Sequence, residues 1–225
     1  MSGLISLFLA AAVGATPLGA AGPTLTYFGR ATVRIVTSGG FVVYLDPFAP
    51  ADPSAKADLV LVTHGHGDHN AVATLSLNQD CALAAPAGAL KGRDYRIVRE
   101  GDAFQVGPVA VKVVPACNKN HKRQECVGYL VTVDGVTVYH AGDTSFIPEM
   151  AALAGSRIDY ALFPTDGHWN MGGEEARRCA DAVKATHAIA IHSSPDGLYD
   201  AGNAARLAGP DVLPLAPGQT LPLAR

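Results

Sequence analysis

Charge is scarce in this 225-residue chain: Asp, Glu, Lys and Arg make up 16% of it, against 48% hydrophobic residues, and the first charged side chain is Arg30. With no charge block or low-complexity tract, that balance excludes an extended disordered protein and indicates a folded globular one. Basic patches are missing too. The formal net charge is −3, and the one local candidate, Lys119 to Arg123, is short and contains a histidine, so no nucleic-acid partner is expected. The apolar run Leu4 to Val13, followed by Pro17, falls short of the ~20 residues a membrane helix needs, so no stable membrane span is expected. None of the four cysteines pairs with another at metal-knuckle spacing, and no cysteine is assigned to a metal. A Gly-x-Ser-x-Gly nucleophile elbow is also absent, which removes the most recognisable route to serine hydrolase chemistry.

The uncharged leader has the length of a signal-peptide core, with small residues at Val13-Gly14-Ala15 and Leu18-Gly19-Ala20 as cleavage sites. It lacks the usual Lys or Arg before the apolar run. The expectation is a signal peptide or disordered leader over residues 1–20, an exported protein, and a single domain over residues 21–225; the alternative is a cytoplasmic protein with a spurious leader. Export would allow a disulfide between Cys117 and Cys126, whereas the plainer reading leaves all the cysteines free and Cys179 buried on a helix.

What the chain does have is Thr63-His64-Gly65-His66-Gly67-Asp68-His69, directly after the apolar run Leu59 to Val62. Imidazoles and a carboxylate suit zinc and neighbouring divalent ions. In extended backbone, residues two apart point the same way, so His64 and His66 can converge on one ion. Asp68 and His69 follow at a turn and can serve a second. Gly65 and Gly67 are expected to clear the tight path.

Strand patterns surround this cluster: Leu25 to Phe28, Thr32 to Val36, Phe41 to Leu45, Cys81 to Ala85, Tyr95 to Val98, Phe104 to Val106 and Val109 to Val114. Ala71 to Leu77 is expected to form a short helix. Val127 to Val133 and Val136 to His140 form a hairpin across Asp134-Gly135. Asp159 to Phe163 and Ala188 to Ile191 are further strands. A helix from Gly173 to about Ala185 presents Ala176, Cys179, Ala180 and Val183 as one apolar stripe, with Glu174 and Glu175 in its first turn. A last helix over 200–208 and one or two short strands complete the chain.

Further candidate ligands stand at strand ends. His121 lies beyond Val109 to Val114, Asp143 emerges through Gly142 after the hairpin, and His192 ends its strand as His64 does. A carboxylate such as Asp143 can bridge two cations. Asp46 is either a support for the ligands or a turn cap before Pro47. His140 reads as core or ligand support, and His187 as structural.

The set His64-x-His66-x-Asp68-His69, His121, Gly142-Asp143-Thr144 and His192 resembles the metallo-β-lactamase superfamily. It is most similar to the small branch of ascorbate-6-phosphate lactonase-like and related metal-dependent hydrolases, over about Leu25 to the C-terminus. The resemblance implies an α+β fold, the four-layer αββα sandwich, with His64, His66 and His121 on one metal, Asp68, His69 and His192 on a second, and Asp143 bridging them. It implies a hydroxide shared by two divalent cations attacking a lactone, ester, amide or phosphodiester, with Asp68 orienting it. Diiron relatives place a glutamate where this chain has His66, which favours zinc; manganese and iron also suit the ligands. His168 is a candidate for oxyanion contact or leaving-group protonation, or else packs on Trp169. Where many relatives have a histidine, Arg30 follows Gly29; it is either a binder of an anionic small-molecule substrate or a surface charge. The alternative function is a non-catalytic metal-binding protein on the same scaffold.

Overall fold

A computed structural model describes residues 22–48 and 55–225, and the expected leader lies outside them. The strands are β1 (Thr24–Gly29), β2 (Thr32–Val36), β3 (Val42–Leu45), β4 (Ala57–Leu61), β5 (Leu77–Ala85), β6 (Arg96–Ile97), β7 (Ala103–Val106), β8 (Val109–Pro115), β9 (Val127–Val133), β10 (Val136–His140), β11 (Tyr160–Pro164), β12 (His187–Ile191) and β13 (Thr220–Pro222). The helices are α1 (Gly173–Val183) and α2 (Ala201–Ala205), with 3-10 segments at Val72–Thr74 and Pro148–Ser156.

Alternation along the strands explains how they stack. In β8, Val109, Val111 and Val113 point inward while Ala110 and Lys112 are exposed, the period-two pattern of a sheet with one face in the core. The first sheet runs β13-β1-β2-β3-β4-β5-β6 and the second β12-β11-β10-β9-β8-β7. Leu25, Val33, Val43 and Leu59 of the first meet Val111, Tyr129, Val138 and Leu162 of the second in a single buried cluster. The outer face of the second sheet packs on α1 through Ala176, Cys179, Ala180 and Val183, the stripe expected from the sequence. On the first sheet's outer face, Tyr44, Val60 and Val62 pack under Val72, Ala89 and Leu90 of the loops. Two mixed sheets flanked by helical segments make the αββα sandwich.

The helix expected over 71–77 is a correction. Only Val72–Thr74 turns, as a 3-10 segment; Leu75 is already extended, and Leu77 opens β5. β-branched Val72 and Thr74 disfavour further helix, and the Thr74 hydroxyl donates to the Ala71 carbonyl at 2.8 Å, ending the turn locally.

Strand direction gathers the site. β3 and β4 are parallel neighbours, as are β10, β11 and β12. β8 runs with β10 because both are antiparallel to β9. β1 runs with β3 because both are antiparallel to β2. Their carboxyl ends therefore open on one edge, the edge where open α/β sheets place ligands.

Candidate metal centre

The loop after β4 is fixed before any metal is considered. Val62 N–H continues the pairing to the Ala84 carbonyl at 2.9 Å, and the Thr63 amide and hydroxyl both donate to Asp46 at 2.7 Å. Asn70 Nδ2 closes the other end on the Gly65 and Ala89 carbonyls, each at 3.0 Å. A Cβ on Gly65 would meet Ala89 Cα at 3.2 Å, a tight approach that favours glycine. Gly67 is different from expectation: a Cβ would meet nothing within 4 Å, so crowding does not demand it. Gly142 carries the strongest demand of the three, having φ of 64° and a Cβ position 2.6 Å from the Val127 carbonyl.

Seven side chains converge at this edge. His64, His66 and His121 form one group and Asp68, His69 and His192 another, the ligand atoms of each lying within 4.8 Å of one another. His64, His69 and Asp143 satisfy the same limit and join the two. In the first group, His66 Nδ1 stands 3.1 Å from His64 Nε2 and 3.2 Å from His121 Nε2. Tetrahedral ligands at the usual zinc–nitrogen distance would stand about 3.3 Å apart, so the spacing fits an ion. Asp143 Oδ2 lies 3.3 Å from His121 Nε2, 3.5 Å from His69 Nε2 and 3.6 Å from His192 Nε2, touching both groups with one oxygen. Buried Nε2 of His69 and His192 and Oδ1 of Asp143 have no hydrogen-bond partner among the described residues, an arrangement that costs stability unless a cation satisfies them.

The second nitrogens of four histidines each face an oxygen, hydrogen-bonded in three of them and at ion-pair distance in His192. His69 Nδ1 meets Asp46 Oδ2 at 2.8 Å, His192 Nδ1 meets Asp166 Oδ2 at 3.1 Å, and His121 Nδ1 meets Asn118 Oδ1 at 2.9 Å. His64 Nδ1 lies 3.0 Å from the Thr63 hydroxyl, whose own proton goes to Asp46; the network assigns the hydrogen to His64 Nδ1. In each case Nε2 is left facing the centre, with its lone pair free in the neutral His64 and His121 and with a proton for a metal to displace in His69 and His192. Asp46 thus supports the ligands. His140 does so less directly: its Nε2 donates to the Ala31 carbonyl at 2.9 Å, and its Nδ1 is 4.0 Å from Asp46. Thr63, Asn118 and Asp166 were not anticipated as supports. Asp166 follows β11 at the same edge as the ligands, which is the one sequence signal that could have found it.

Electrostatics divide the groups. Burial holds His64 and His121 below the ordinary imidazole range, with neighbouring imidazoles adding to it, so both are neutral near pH 7. For His69 burial pulls the same way, but the Asp143 and Asp46 carboxylates outweigh it and raise the pKa well above normal. His192 is likewise opposed by burial, yet the carboxylates of Asp143, Asp166 and Asp68 around it push it up to about 9. Burial alone would raise Asp143, but the cationic His69 and His192 hold it well below the usual carboxylate range.

Arg30 is not an exposed surface charge, and its guanidinium is already paired within the chain. Its Nε donates to Asp68 Oδ2 at 3.0 Å and its Nη1 to the Ser194 carbonyl at 2.6 Å. Its own carbonyl accepts from His192 N at 2.5 Å, tying the β1–β2 turn to the end of β12. A cavity of about 580 Å³ opens over the centre, lined by Arg30, Asp68, Asn120, Asp143, Trp169 and His192 among others. His168 is exposed, packs edge-on against Trp169 with ring centroids 4.6 Å apart, and is not among the lining residues. Cys117 and Cys126 are free thiols.

Two adjoining ligand groups sharing one carboxylate, at the carboxyl edge of an αββα sandwich, define a dinuclear centre of the metal-dependent hydrolase class. Among known proteins, the Beta-lactamase superfamily domain matches residues 24–192. A UPF0173 metal-dependent hydrolase of Pyrococcus furiosus is 32% identical, covering 88% of this chain and 99% of the relative. A crystal structure from Parabacteroides distasonis, described as that of a candidate metal-dependent hydrolase, shares 27% identity and a TM-score of 0.73, covering 86% of this chain and 92% of that one. Igni18, described as a metallo hydrolase from Ignicoccus hospitalis, has the same fold, with a TM-score of 0.70 at 23% identity over 88% of this chain and 97% of that one. The chain belongs to the metallo-β-lactamase superfamily, in the branch of UPF0173 metal-dependent hydrolases.

Proposed function

We propose that this protein hydrolyses a small-molecule lactone, ester, amide or phosphodiester, with His64, His66 and His121 holding one zinc ion, Asp68, His69 and His192 a second, and Asp143 shared between them. The observation that carries the reading is the position of Asp143 Oδ2, within 3.6 Å of histidine nitrogens from both groups. Divalent ions in such a centre supply Lewis acidity and a hydroxide nucleophile at neutral pH. Manganese and iron suit the same ligands, so zinc rests on the histidine-rich first group alone.

The chain's own residues do the rest. Asp68 lines the cavity. Burial would raise its pKa, but the adjacent His192 ring and the charges of His69 and Arg30 hold it well below the usual carboxylate range, so it stays anionic and is suited to orient the nucleophile as a hydrogen-bond acceptor. Asn120, exposed at the same cavity, offers an uncharged polar contact for substrate. Leaving-group protonation by His168 has less support, because its ring packs against Trp169 outside the cavity lining. The apolar leader supports export of this hydrolase, testable by N-terminal sequencing of the protein recovered from the cell envelope and medium.

Zinc-loaded protein screened against ester, lactone, amide and phosphodiester panels tests the reading. Turnover that Asp143→Ala abolishes supports it; two bound ions with no turnover on any panel would favour the non-catalytic metal-binding alternative.

A further inference from the structure

The cavity over the two ligand groups is lined mainly by ionisable and polar side chains, with one large exception. Trp169, the single tryptophan of the chain, lines it with 46% of its surface exposed. The other exposed large hydrophobics among the described residues, Phe48, Ile97 and Leu198, do not line that cavity. A half-exposed indole beside a polar centre offers a flat apolar face that a ligand can cover with gain.

Its backbone is held on both sides. The Trp169 amide donates to Asp166 Oδ1 at 2.6 Å, and its carbonyl accepts from Asn120 Nδ2 at 2.7 Å and Asn118 Nδ2 at 3.3 Å. His168 braces the ring edge-on, at an interplanar angle of 83°. Two of these anchors have a second duty: Asp166 holds His192 and Asn118 holds His121, and Asn170 ties the two together through Asn118 Nδ2 at 2.8 Å and Asp166 Oδ2 at 2.9 Å. The backbone that carries the indole is therefore fixed by the same network that touches one histidine from each group. A fixed backbone narrows where the ring can go, and a flat π-face favours a flat partner. The other apolar lining residue is Pro195, which is half-buried.

We propose that Trp169 is the specificity-determining residue of this hydrolase, stacking a planar aryl or heteroaryl group carried next to the scissile bond while the polar part of the substrate meets the ligand groups. This rests on the metal-centre reading above and adds the substrate class to it. The role is recognition: Trp169 touches the substrate's ring and not the bond that breaks.

Phenylphosphonate and methylphosphonate, which share one anionic head and differ in the ring, test the proposal on zinc-loaded full-length protein by calorimetric titration, with the emission of the sole tryptophan as a second readout. Phenylphosphonate is expected to bind about 5- to 100-fold more tightly, the range of an aromatic stack, and to change the tryptophan emission, which methylphosphonate leaves nearly unaltered. Trp169→Ala should bring the two ligands to parity without loss of bound zinc, and Trp169→Phe should keep most of the preference. Methylphosphonate binding with no preference for the phenyl compound overturns this proposal alone, as does a preference that survives Trp169→Ala. Binding of neither phosphonate overturns it together with the metal-centre reading.

Discussion

Arg30 is bound to Asp68: its Nε and Nη2 each lie 3.0 Å from Asp68 Oδ2. The guanidinium is thereby committed to a side chain of the second His/Asp group, and the residue's φ of 53° belongs to the β1–β2 turn within the first sheet. Arg30 is a positioning residue, and Arg30→Ala should lower activity about 10- to 100-fold, the usual effect of losing an outer partner of a metal ligand. The loss should fall on kcat and on affinity for the second ion, with KM nearly unchanged. A rise in KM for anionic substrates alone would instead make Arg30 a substrate contact.

Asp46 is the common partner of both histidine groups, accepting from Thr63, which holds His64, and from His69 directly. Asp46→Asn removes the charge and places an amide donor against groups that themselves donate. It should weaken zinc binding by about 10- to 100-fold and destabilise the metal-free protein by about 1–3 kcal/mol, read by competition with a chelating dye and by denaturant unfolding. An unchanged zinc affinity would show that Asp46 serves only the turn before Pro47.

The two groups should answer pH differently. His64 and His121 are neutral near pH 7, whereas in the metal-free protein His69 and His192 carry protons that a metal must displace. Calorimetry in buffers of different ionisation enthalpy should show about two protons released from the histidines as the second ion binds at pH 7.5, with about one more from the water that becomes the hydroxide, and close to none with the first. Stability follows the same signs. The His192 pKa is raised from 6.5 to about 9, so its contribution in the metal-free protein is complete below pH 6.5 and is lost as pH rises through about 9. The melting temperature of chelator-treated protein should fall across that interval, and a flat profile would contradict the assignment.

Much of this centre was legible because strand ends are legible. His64, His121, Asp143 and His192 each follow a run of apolar residues whose period gives a strand, and parallel strands with a shared carboxyl edge bring such residues together. The α1 stripe was legible for the same reason. Other features depend on which segments meet, and no local pattern records that. Arg30 reaches Asp68 across the edge of the first sheet, and Asp166 reaches His192 between the neighbouring strands β11 and β12 of the second, so both depend on strand order. Ala71 to Leu77 looked helical by composition, but Val72, Thr74 and the demand of β5 for Leu77 decided otherwise.

The glycines give a contrast that needs no metal. Gly142→Ala meets the Val127 carbonyl at a positive φ and should cost about 1–3 kcal/mol in denaturant unfolding of the metal-free protein. Gly67→Ala, with open space around its Cβ, should stay within about 0.5 kcal/mol of the parent. Equal effects would mean that the tight approach at Gly142 is not maintained in solution.

The central claim is that one chain holds two ions on seven side chains. Elemental analysis of zinc-reconstituted protein, with His121→Ala and His192→Ala beside the parent, tests it most directly. The account predicts two zinc ions per chain in the parent and one in each variant, with the pH-dependent ion lost from His192→Ala. A single ion in the parent, or two ions retained in both variants, would contradict it.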